Sequence, residues 1–116
     1  MNGIVEIKSG KKTYTLRFSY VACMEFERRI FINPTDNPAK VFTDLVYSGL
    51  FGEAMRNEKP ATEYGVAYDI LDEISELDNY DEISGKIWDT YYQSKWGADF
   101  QKRLDAFTKA NKKKAE

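Results

Sequence analysis

The feature that most constrains this chain is a join near its start, where a short strand pair runs into a helix with no loop between them. The pair reads Ile4-Val5-Glu6-Ile7-Lys8, then Ser9-Gly10-Lys11, then Lys12-Thr13-Tyr14-Thr15-Leu16-Arg17-Phe18. A strand alternates its faces, so Val5 and Ile7 share one side while Ile4 and Glu6 share the other. In the second strand Tyr14, Leu16 and Phe18 oppose Thr13, Thr15 and Arg17. Ser9-Gly10 supplies the turn, because glycine accepts positive φ without steric cost. A lone hairpin is marginal in water. This one must therefore pack against helices or pair with another chain. Nearly every long segment after Phe18 has helical periodicity, which predicts an α+β fold: an N-terminal β-hairpin packed against a bundle of four or five helices.

Ser19 can cap the first helix, whose core stripe is Ala22, Cys23, Phe26 and Ile30, and Asn33-Pro34 stops it near Ile32. Asn37 and Pro38 fit the cap and first position of a second helix, expected to end near Phe51 because Gly49 and Gly52 weaken it. Its apolar face is Val41, Phe42, Leu45, Val46 and Leu50. A third helix, capped by Thr62, is expected over Glu63 to Leu77 with Tyr64, Ala67, Tyr68, Leu71 and Ile74 inward. A fourth runs from about Asp81 to Ser94, and a last one carries Phe100, Leu104 and Phe107. Residues 1–108 read as a single domain and 109–116 as a disordered basic tail.

Composition narrows the chemistry. The chain has 116 residues, no histidine and one cysteine, so serine or cysteine nucleophiles lack their usual base. Cys23 reads as a buried, reduced thiol. A net charge of −2 gives no bulk attraction to nucleic acid or to an anionic membrane. No apolar run is long enough to span a bilayer, and the N-terminus lacks the order of a signal peptide, so a cytosolic location is expected. No cofactor or metal is expected. Asp78-Asn79-Tyr80-Asp81-Glu82 is rich in oxygen but lacks the ligand spacing and glycine of a calcium loop.

Three groups of residues stand out as partner-binding candidates. The acids Asp69, Asp72, Glu73 and Glu76 fall at spacings of three and four, inside a stretch with eight acids and one base between Asp69 and Asp89. They read as a solvated helix face or as a docking rim for a basic partner. Trp88, Tyr92 and Trp96 are four apart and can form an aromatic ridge, either core packing or an exposed anchor. The face formed by Phe42, Leu45, Val46 and Leu50 is the other apolar candidate.

Three pieces together resemble the tail assembly chaperone family of long-tailed bacteriophages. They are the hairpin entering a helix at Lys11 to Ser19, with Glu25 and Glu27 following, the run Val41-Phe42-Thr43-Asp44-Leu45-Val46-Tyr47-Ser48-Gly49-Leu50, and the helix start Pro60-Ala61-Thr62-Glu63. The resemblance covers about residues 4 to 90. It implies a non-enzymatic protein that binds the helical tape measure protein, and helps recruit tail tube protein, in the host cytosol. It also implies a frameshifted longer product, for which codons of Lys112 to Lys114 are a slippery candidate. The alternative expectation is a small phage structural adaptor or another bacterial interaction domain. The hairpin edge leaves self-association open.

Overall fold

A computed structural model describes residues 3–10 and 12–115, with side chains as far as Ala106. It has the expected α+β architecture, a hairpin followed by five helices among the described residues. Strands β1 (Ile4–Ser9) and β2 (Lys12–Arg17) pair antiparallel, from Ile4 opposite Arg17 to Ser9 opposite Lys12. Gly10 turns the chain at φ 61°. Val5, Ile7, Leu16 and Phe18 are all buried, as the alternation requires.

The join then works as a cap. Helix α1 (Tyr20–Ile32) starts immediately after Ser19, whose hydroxyl accepts the Ala22 N–H at 3.4 Å. Helix α2 (Pro38–Arg56) starts with the Asn37 side chain accepting the Ala39 N–H at 3.0 Å. It continues more than a turn beyond the expected end at Phe51. Gly49 and Gly52 are not breakers here. A Cβ on Gly49 would lie 2.7 Å from the Leu16 Cβ, and one on Gly52 would meet the Arg17 carbonyl and come within 2.8 Å of the Ala22 Cβ. The glycines let β2 and α1 approach the helix backbone, and that packing outweighs their weak helix propensity.

Helices α3 (Gly65–Ser75), α4 (Tyr80–Gln93) and α5 (Lys95–Ala115) follow. Thr62 does not cap α3. The helix starts later, after Tyr64, with no side-chain cap. Its inward residues are Ala67, Ile70 and Ile74, whereas Tyr68, expected inside, is 51% exposed. Between α4 and α5 the chain turns a tight corner at Ser94. The Ser94 hydroxyl donates to the Tyr91 carbonyl at 2.6 Å and accepts the Gly97 N–H at 3.1 Å. A side chain on Gly97 would run into that same carbonyl.

The core joins every element. Hairpin residues Ile7, Leu16 and Phe18 meet Phe26 of α1, Leu45 and Val46 of α2, Ile70 and Ile74 of α3, Ile87 and Tyr91 of α4, and Phe100 of α5. Each such aliphatic side chain contributes roughly 1.5–3 kcal/mol by leaving water. Phe107 and the basic tail's side chains lie outside the described residues. No helix among the described residues is long and apolar enough to cross a membrane.

Candidate functional site

Helix α1 is apolar at nine of its thirteen positions. Its inner stripe, Ala22, Cys23 and Phe26, is buried. Ile30 is half-buried against the core, and the other five apolar side chains face out: Tyr20 is 53% exposed, Met24 51% and Ile32 59%, with Val21 and Phe31 also exposed. The start of α5 lies beside them, and the Trp96 ring meets Tyr20 edge to face with centroids 4.8 Å apart. Phe51 of α2 closes another side. Tyr20, Val21, Met24, Phe31, Phe51 and Trp96 line an open groove of about 880 Å³, with Cys23 at its floor. That volume is in the usual range of binding clefts.

Charged side chains border the groove. Glu25 accepts from Arg28 at 2.6 Å and from Arg29 at 2.9 Å. Burial alone would raise the Glu25 pKa, but the two arginines outweigh it and hold the carboxyl below its ordinary value. Across the groove Arg103 of α5 pairs with Glu27 of α1 at 3.0 Å. The Cys23 thiol lies 3.9 Å from the Phe18 carbonyl, and burial pushes its pKa up to about 11. A thiol held protonated is a poor nucleophile.

Beneath the other side of Arg29 lies a second polar cluster. The guanidinium sits 4.4 Å from the Tyr47 ring centroid and 4.8 Å from that of Tyr64. The Tyr64 hydroxyl donates to the Asp44 carboxylate at 2.6 Å, and Lys40 Nζ approaches the same carboxylate at 2.7 Å. Burial and the adjacent carboxylate push the Tyr64 phenol's pKa upward. Asp44 is 1% exposed, so this is a paired buried charge tying α2 to the start of α3.

The structure relocates most of the residues that the sequence singled out. Phe42, Leu45, Val46 and Leu50 are not a docking face. They are buried in the core, inside a run from Phe42 to Leu50 in which every residue is buried. Hairpin, α1, α3 and α4 surround that run, so it has no area left for a partner in this conformation.

Trp88, Tyr92 and Trp96 do not form one ridge. Trp88 is half-buried between the stacked rings of Phe42 and Tyr92, at 5.9 and 5.7 Å. Trp96 belongs to α5, because α4 stops at Gln93 and Ser94 turns the chain. Tyr92 and Trp96 are both exposed, but only Trp96 lines the groove.

Asp69, Asp72 and Glu73 on α3 and Glu76 at its C-cap are exposed, and none is in an ion pair among the described residues. Glu73 turns back to accept a hydrogen bond from the Ser9 hydroxyl. The acids do not rim the groove, since the charges beside it come from α1 and α5. Among the described residues no three acids or cysteines converge as a metal site.

Tyr20, Val21, Met24 and Phe31 were missed. Their signal was present: a helix apolar on nearly all sides must be buried on all sides or offer one face to something else. No protein-family model matches the chain, and no curated protein or solved structure is significantly similar to it.

Proposed function

We propose that this protein is a tail assembly chaperone of a long-tailed phage or prophage, acting by binding rather than by catalysis. It holds the tape measure protein in a soluble form while tail tube protein assembles around it. The observation that carries this reading is the outer face of α1, where Tyr20, Val21, Met24, Phe31 and Ile32 lie exposed beside Trp96. An apolar patch of this kind, bordered by charge, suits a surface that covers another protein's apolar helices reversibly. The hairpin-to-helix join and the run from Val41 to Leu50 support the same reading through the family resemblance.

The test is co-expression. The long helical reading frame expected beside this gene would be produced with and without this protein. The reading expects that product to stay soluble and co-purify with the chaperone, and to aggregate alone. Equal solubility in both cases, with no co-purification, would sink it. The flanking DNA gives an earlier check: neighbours that encode neither a tape measure nor tail proteins would point to an interaction domain of another kind.

A further inference from the structure

We infer that the groove on α1 takes a single amphipathic helix of the partner, lying beside α5, with large apolar residues at helical spacing and a carboxylate facing Arg28. The inference rests on the proposed binding of a helical protein and specifies how that protein is recognised.

The molecule already contains an example of such a contact. Along α5, Trp96, Phe100 and Leu104 recur every four residues. Trp96 meets Tyr20, while Phe100 is 1% exposed and meets Phe26 and Phe31 edge to face at 6.0 and 6.2 Å. Arg103, on the same helix, pairs with Glu27. Helix α5 thus covers one flank of α1 with apolar residues at helical spacing and one ion pair. The groove continues that interface, because Tyr20, Phe31 and Trp96 belong to both. A second helix laid alongside would repeat the contact on the flank left open.

The occupant's backbone follows from the lining. Every described residue around the groove comes from α1, α2 or α5, and no strand edge borders it. An extended peptide would find no ladder for its backbone groups there. A helix satisfies its own. At 1.5 Å per residue the thirteen residues of α1 span about 20 Å, enough for roughly four turns of a partner. Met24 and the aromatic rings can adjust to varied apolar side chains.

The charge follows from Glu25, one carboxylate shared by two arginines. Arg29 is also held over the Tyr47 and Tyr64 rings. Arg28 already holds both Glu25 oxygens, at 2.6 and 3.3 Å, but its side chain is 53% exposed at the groove's edge, and two arginines against one carboxylate leave the cluster's charge balance incomplete. An acidic side chain on the incoming helix would complete it.

The probe is a fluorescein-labelled alanine- and glutamine-based helical peptide with leucine and phenylalanine at i, i+4 and i+7 and one glutamate. Its binding to the full chain is followed by anisotropy. Saturable binding should weaken at least about tenfold in Met24→Asp and in Tyr20→Ser, both of which alter exposed side chains. Arg28→Glu should weaken it too, and a peptide with lysine in place of the glutamate should restore that loss. Circular dichroism melts of each variant confirm the fold. Unchanged peptide affinity in both groove variants overturns the site, and failure of the charge exchange overturns the carboxylate. Co-purification with the long helical product separates the two readings. If that product still binds Met24→Asp at full strength, the groove is wrong and the chaperone reading stands. If it never binds the wild-type chain, the chaperone reading fails whatever the peptide does.

Discussion

In α2 every residue from Phe42 to Leu50 is buried, even Thr43, Asp44 and Ser48. In α1 the apolar residues are as dense, yet Tyr20, Met24 and Ile32 are more than half exposed. The two helices differ in how many neighbours the topology supplies. Helix α2 lies under the hairpin and between α1, α3 and α4. Helix α1 has α2 on one side, α5 on another and α4 against Phe26, and no element among the described residues covers its outer face. Polar residues of α2 are made compatible with burial locally: Thr43 and Ser48 donate to the carbonyls four residues back at 2.7 Å, and Asp44 meets Lys40 and Tyr64. The lesson is that apolar density alone does not distinguish a core helix from one with an open face. The number of covering elements does.

That contrast can be broken by substitution, and the largest effects belong to α2. Leu45→Ala should lose about 2–5 kcal/mol of stability in urea melts, since the cavity lies where nothing can collapse into it. Gly52→Ala should be comparably damaging, because its methyl group meets the Arg17 carbonyl and Ala22. A Gly52→Ala protein as stable as wild type would show that β2 does not press on the helix as described. Next comes Lys40→Met, which leaves the buried Asp44 with Tyr64 alone and should cost about 1–3 kcal/mol in the same melts.

The pH dependence of α1 is a smaller effect. The Cys23 thiol has a folded pKa raised from 9.0 to about 11, mainly by burial. Its protonated form is therefore favoured by folding. The stabilisation is complete below pH 9.0 and is lost as pH rises towards 11. Melts across that window should show falling stability, with a shallower slope in Cys23→Ala. An identical slope in the variant would remove Cys23 as a cause. The smallest effect should be Met24→Asp, within about 0.5 kcal/mol of wild type, because the side chain already faces water. A loss as large as that of Leu45→Ala would mean the outer face of α1 is core.

Local rules made much of the fold legible in the sequence. The Gly10 turn, the Ser19 and Asn37 caps and the alternation of Val5, Ile7, Leu16 and Phe18 each depend on residues close in sequence, and each is present in the structure. What failed depended on contacts between distant segments. Gly49 and Gly52 look like helix breakers until β2 is placed against them. Thr62 looks like a cap until the Tyr64 hydroxyl is seen bonded to Asp44. Trp88, Tyr92 and Trp96 look like one ridge until Ser94 turns the chain between them. For the site, exposed and buried apolar residues look alike in a sequence: the α2 face reads as a docking face, whereas the structure leaves the face on α1 open.

The Ser94 corner has a consequence for how such a protein can change over generations. Gly97 lies against the Tyr91 carbonyl, so the direction of α5 is fixed by contact between backbone and backbone. No other amino acid fits at that position without moving the helix. Tyr20 and Met24 carry no such restriction. If the groove holds a partner helix as proposed, its lining is free to drift in step with that partner while the frame that shapes it stays fixed, and a lineage can retune what it holds without relearning how to fold.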